Sequence, residues 1–260
     1  MKELIKPIVE EGKALVKPVY EDLAQPAVKE VGTTLGRAVH ALLFPVRGLC
    51  WGFEKIEQVV VQGLEKRLEN VAPEKRKTPD PEIAVPLMQA LTYTAQNDTL
   101  REVYLNLLAN AMNSDFDKAV HTSYVEVIKQ MNRLDILVIK ELVQKKEYIK
   151  MTTPNVSLKG QDKVVSNAMP QWFLGWVIEG FDIFDISTCL VRLARLGLIE
   201  LMFDRTAGKE GYDELKSSAL ITSIFEQYVA NYPTAELELI AAENILYVNE
   251  FGQRFAIACL

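Results

Sequence analysis

NLLANAMNSDFDKAVHTSYVEVIKQM, residues 106–131, decides how the chain is read. An apolar helix runs into a polar turn with two aspartates and one of only two histidines, and a second helix starts at once. Asn113, Asp115 and Asp117 alternate as at the start of a calcium loop. Such a loop next needs a glycine and, at its twelfth position, a bidentate glutamate; Lys118 and Tyr124 stand there instead. His121 has no second histidine or cysteine near it in sequence, so the turn does not read as a metal site. Ser123-x-x-Glu126 predicts a capping box, the serine oxygen accepting from the Glu126 amide while the glutamate reaches back, with His121 bracing it by a ring hydrogen bond. Asp115, His121, Ser123 and Glu126 therefore form a structural corner between two helices.

Upstream, PLMQALTYTA carries a helical pattern, AQND breaks it, and Thr99-x-x-Glu102 predicts a capping box for a helix ending near Met112. Residues 72–82, APEKRKTPDPE, hold three prolines and a basic run with almost nothing to bury, and read as a linker. Before it, residues 4–71 repeat apolar side chains at steps of three and four, the mark of amphipathic helix, interrupted by Pro7, Pro18, Pro26 and Pro45. The most apolar part, residues 38–53, would span about 24 Å as helix, short of the ~30 Å hydrocarbon core, and Arg47 interrupts it. A conventional transmembrane helix is excluded. Two readings stay open for Leu42, Leu43, Phe44, Trp51 and Phe53: contact within the protein or with a second copy, or seating in a membrane interface.

Downstream, Asn132 caps a helix in RLDILVIKELVQKK, with Asp135 favouring its start. Asp185 or Ser187 is expected to cap ISTCLVRLARLG, which Gly197 ends in a left-handed conformation. LIELMF reads as a strand and ILYV, 245–248, as its partner, with NEFGQRFAIACL closing the chain as a helix. Three helices, two strands and a helix make a winged-helix pattern, with an insertion at 204–244 whose LKSSALITSIFEQYVANY and TAELELIAAE look helical.

The 260 residues carry 49% hydrophobic content and a formal net charge of −6, so a packed chain is expected. The charge is uneven: +2 over residues 1–77, −3 over 78–133 and −5 over 134–260. An acidic C-terminal half speaks against a surface that tracks phosphates. Cys50, Cys189 and Cys259 are far apart and odd in number, without a C-x-x-C, and read as small buried hydrophobes. The N-terminal MKELIKPIVEEGK does not resemble a signal peptide, and a cytoplasmic chain is expected. No phosphate loop, dinucleotide fingerprint or nucleophile elbow is found.

NLLANAM, the acidic turn and VHTSYVEVIKQMNRLD together resemble the Abi-alpha (abortive infection alpha) family of bacterial proteins. The likeness covers roughly residues 78–260 and is sharpest over 104–139, with echoes in LVRLARLGLIE (190–200) and LYVNEFGQRFAIAC (246–259). It implies a setting, defence in which an infected cell stops growing with a phage component as trigger, and brings no catalytic residues. The expected chain is mainly α: an amphipathic helical arm (1–77), a small helical region (78–133) and a winged-helix-like module (134–260) with a short β-hairpin and a helical insertion. The expected function is non-enzymatic and cofactor-free, through partner sensing plus oligomerisation or membrane engagement of the arm, which would make the protein peripheral at the inner membrane. A homo-oligomer or protein partner is expected. The alternative is a winged-helix DNA-binding regulator that uses Arg192 and Arg195.

Overall fold

The computed structural model describes residues 53–260, apart from 95, 146–147, 162–163 and 167. Leu42, Leu43, Phe44 and Trp51 thus lie outside the described residues. The described chain is mainly α-helical with one antiparallel sheet, and it divides into two compact units. The first holds residues 53–131 together with 254–260, and the second holds 132–253.

The first unit contains α1 (Phe53–Leu68), α2 (Pro81–Thr94), α3 (Asp98–Ala111) and α4 (Ser123–Lys129), and receives the end of the last helix, α9 (Glu250–Cys259). Ile56, Val60, Leu64 and Leu68 of α1 are all buried, so this end of the N-terminal apolar stripe packs inside the protein. Gly63 permits the close approach: a Cβ there would come within 2.6 Å of Leu105 Cδ1 on α3. Helix α3 buries Val103, Tyr104, Leu105, Leu107 and Leu108 and forms the centre of the unit. Its cap is Asn97, whose side chain accepts from the Leu100 amide, rather than the expected Thr99. Asparagine in extended geometry places its short carbonyl directly over the first turn, which leaves Glu102 free to bind Arg67.

The repeated asparagines of NLLAN have a specific use. Asn106 donates to the Cys259 carbonyl and Asn110 to the Ala258 carbonyl, each at 3.0 Å. These carbonyls belong to the last turn of α9, where no intrahelical amide remains to meet them. Residues 72–82 are likewise no free linker. The Lys77 amide donates to Met112 O at 2.9 Å, Arg76 donates to the Val71 and Leu68 carbonyls, and Arg76 bridges Asn113 as a short antiparallel contact.

The second unit contains α5 (Arg133–Gln144), β1 (Ile149–Leu158), β2 (Val164–Ser166), α6 (Ile183–Arg195), β3 (Ile199–Met202), α7 (Tyr212–Lys216), α8 (Ala219–Ala230) and β4 (Leu237–Val248). The sheet order is β2-β1-β4-β3, every neighbour antiparallel. This corrects the expected short hairpin. TAELELIAAE is not helix but the start of β4, paired with β1 from Ile149↔Leu246 to Leu158↔Leu237. The alternation of Leu237, Glu238 and Leu239 has the two-residue period of a strand, which overrides the helical preference of Ala and Glu once a partner strand exists. Pro154 fits inside β1 because the Thr152 amide, two residues earlier, points outward to Phe173 O. By the same parity the Pro154 nitrogen faces that outer edge, which β2 flanks only at Val156 and Ser157.

Helix α6 starts at Asp182, not at Asp185 or Ser187. The Asp182 carboxylate accepts from the Phe184 and Asp185 amides, while Asp185 reaches back to the Asp182 amide. Ser187 lies a turn inside, accepting from the Trp172 amide. The helix ends in a Schellman motif: Leu198 N–H to Leu193 O, Gly197 N–H to Ala194 O, with Gly197 at φ 75°. The inserted segment is fastened to the sheet by the buried Asn244, which accepts from the Asp204 amide and donates to Thr153 Oγ1. Tyr212 of α7 donates to the Asn244 carbonyl at 2.9 Å. Helix α8 sets Ile221 against Phe173 and Ile183, with Leu239 of β4 beside them.

Two predictions follow from this packing. A Cβ on Gly252 would collide with the Leu198 carbonyl, so Gly252→Ala is expected to destabilise by about 2 kcal/mol in urea unfolding despite alanine's better helix propensity. Burial raises the pKa of Tyr104, Tyr124 and Tyr212. A raised tyrosine pKa adds stability that is complete below the unfolded value of about 10 and is lost as pH rises beyond it. The Tyr104 hydroxyl is buried without a hydrogen-bond partner among the described residues. Tyr104→Phe is therefore expected to be at least as stable as wild type at neutral pH and to lose stability less steeply above pH ~10.

Candidate functional site

The acidic turn and the basic segment before α2 meet in one place. Asn113 accepts from the Asp115 amide and starts a single 3-10 turn, Ser114–Phe116. That turn presents Asp115 to Lys75 at 2.8 Å, and Asp117 pairs with Lys77. The hydrogen bond from Lys75 to Asp115, with the carboxylate's charge, raises the lysine pKa. A cleft of about 280 Å³ opens alongside, lined by Lys77, Asp80, Ile83, Ala111, Asp117, Val120, His121 and Thr122. The sequence signal for this clasp is the complementary charge of KRK and DFD, forty residues apart.

His121 lines the cleft. Its Nδ1 accepts from the Ser123 amide at 3.1 Å and lies 2.7 Å from Ser123 Oγ. With Nδ1 accepting the amide, the proton of the neutral ring belongs on Nε2. The expected capping box does not form. Thr122 is the N-cap of α4 without a side-chain bond, His121 Nδ1 serves the first turn instead, and Glu126 pairs with Lys129. An imidazole two residues back reaches the Ser123 amide directly, so the serine hydroxyl turns to the ring rather than to its own helix. A serine and a histidine at 2.7 Å suggest a nucleophile and its base. Among the described residues no carboxylate hydrogen-bonds Nε2, and the ring packs edge-on against Tyr124, which packs in turn on Phe255. The arrangement can cap a helix and offer an Nε2 donor to the cleft. No group of three or more His, Cys, Asp or Glu among the described residues could hold a metal ion.

In the second unit, Arg192 and Arg195 have different fates. Arg192 is drawn onto Asp135, Nε at 2.9 Å and a terminal nitrogen at 2.8 Å from Oδ1. Asp135 is 1% exposed at its side chain and also accepts from the Asn132 amide, closing the capping box of α5. Burial acts to lower the Arg192 pKa, but the Asp135 hydrogen bond and charge more than offset it, and the net direction is up. Burial and the same carboxylate push up the thiol of Cys189, which is therefore held as an unreactive S–H. Arg195, one turn on, is exposed. Phe53 begins α1, and among the described residues no helix is long and apolar enough to cross a membrane.

The model of a protein family described as "Abortive infection alpha" matches residues 52–259. No curated protein and no solved structure matches the chain.

Removing the Arg192 side chain strands a buried carboxylate, whereas Arg195 holds nothing buried. Arg192→Ala is expected to cost about 3 kcal/mol in chemical denaturation, and Arg195→Ala at most about 0.5 kcal/mol.

Proposed function

Because the chain belongs to the abortive infection alpha family, we propose that it is a non-enzymatic phage-defence protein that couples sensing of a partner to action by its N-terminal helices. The family match over residues 52–259 carries the reading. The N-terminal arm, with Leu42, Leu43, Phe44 and Trp51 as its most apolar group, acts by oligomerising or by engaging a membrane surface. The C-terminal unit serves as the sensor. It is a winged-helix-like module in which α6 takes the place of the recognition helix and β1, β4 and β3 form the small sheet. With Arg192 held by Asp135, that helix presents little with which to neutralise phosphates, which favours a protein partner over the DNA-binding alternative.

The test is the full chain expressed in a bacterial host challenged with a phage panel. Lower efficiency of plating, with growth arrest of infected cells, is expected. Changing Leu42, Leu43 and Phe44 together to Glu should abolish protection while the far-ultraviolet circular dichroism is unchanged. A wild-type chain that protects against no phage and slows no growth on overexpression would overturn the defence reading. A variant that protects as well as wild type would remove the arm from the mechanism and leave the rest.

A further inference from the structure

His121 Nδ1 meets two groups of one residue, the Ser123 amide at 3.1 Å and the Ser123 hydroxyl oxygen at 2.7 Å. The two differ in what they can do. A hydroxyl reverses and accepts when its neighbour becomes a donor, whereas a backbone amide only donates. Nδ1 therefore stays unprotonated for as long as the amide is on it. A second proton on the ring has no other place to go, because Nε2 already holds the first. Thr122, the N-cap residue, gives α4 no side-chain bond, so among the described residues the imidazole is the side chain that meets this amide. His121 is exposed among the described residues, and a proton reaches it from solvent.

We propose that His121 is a pH-operated latch on the N-terminus of α4: the neutral ring caps the helix, and the protonated ring lets go of it. The charged and titratable groups around the ring are Lys77, Asp80 and Asp117, which line the cleft with it, and Tyr124, whose ring centre lies 6.0 Å away. Helices α2 and α3 face the cleft with Ile83 and Ala111, which carry no charge. Asp80 and Asp117 favour the imidazolium, while Lys77, paired with Asp117, and the positive end of α4 oppose it. The three charged side chains are exposed, so water screens them, and the direct contact at Nδ1 decides. Once released, the cation turns toward the carboxylates of the cleft, which gives the ring a second resting place. The uncapped helix binds a proton that the capped helix refuses. The cap is therefore complete well above the ordinary imidazole midpoint of about 6.5 and is lost as pH falls below it. Tyr124, Val125, Val127 and Ile128 keep α4 packed, so the change is confined to its first turn and to the wall of the cleft at 121–122. The latch stands apart from the defence reading, because its readout is the protection of one helical turn.

The test is hydrogen exchange of the full chain at about pH 7.5 and about pH 5.5, both above the ordinary carboxylate range. It is read on the amides of residues 121–126 after correction for the intrinsic exchange rate. Wild type is expected to lose about fivefold of its protection there on acidification, the loss of one helix cap, with α3 unchanged. His121→Asn puts a carbonyl oxygen that does not titrate in the place of Nδ1, as an Asx turn to the amide two residues on, and should be protected equally at both pH values. His121→Ala should show the low protection at both. Ser123→Ala keeps the amide and should respond like wild type, as should His40→Gln, which removes the other histidine of the chain. Nitrogen-15 NMR of the ring at neutral pH should show Nδ1 unprotonated, the signal being assigned by its loss in His121→Asn. A wild type equally protected at both pH values, a His121→Asn chain that responds as wild type does, a response that is lost in Ser123→Ala or His40→Gln, or a neutral ring with its proton on Nδ1 would overturn the proposal.

Discussion

The carboxylate of Asp135 lies almost wholly out of water, and the architecture of the second unit follows from how it is satisfied. A buried carboxylate without donors is among the most costly groups a protein can hold, so Asn132 and Arg192 must both stay in place. The Asn132 amide fixes where α5 begins. The Arg192 guanidinium fixes how α6 is turned about its own axis, since that side chain has to face α5. Once the rotation is set, the residues at helical spacing from Arg192 have no choice of direction. Ile186, Cys189, Leu190 and Leu193 go inward, while Phe184, Thr188, Val191 and Arg195 go outward. One ion pair thus removes a cation from the surface and exposes an apolar stripe in its place.

In the first unit the organising polar contacts run through α3. Its apolar residues fill the core, and Asn106 and Asn110 are spaced one turn apart so that both amides reach the end of α9. Asn106 also accepts from Arg67 Nε at 2.7 Å, which joins α1 to the same network. The two ion pairs of the basic segment with the acidic turn are solvated and contribute little each. Their role is positional: with the Lys77 amide on Met112 O, they hold the approach to α2 beside the turn and so shape the cleft at His121.

Local pattern carried some readings and misled others for identifiable reasons. The Asn132 cap and the Gly197 stop are decided within a few residues of chain, and the sequence places both correctly. Thr99, Asp185 and Ser187 are good capping residues at plausible places, yet Asn97 and Asp182 serve instead. Several candidates within one turn satisfy the same rule, and only the path of the incoming chain chooses among them. Strand β1 was invisible because its threonines, proline and asparagine show no clean alternation, and its identity comes from ten paired positions on β4.

The sequence by itself determined that the chain is mainly helical, that a corner joins two helices at 113–123, and that it bears the words of its family. These rest on periodicity, turn chemistry and residue identity, which act over one or two helical turns. The tertiary structure alone decided that Asp135 finds Arg192, that the basic segment finds the acidic turn, and that Asn244 ties the insertion to the sheet. Each partner pair is separated by tens of residues, and its energy depends on desolvation and geometry that exist only after the chain has folded.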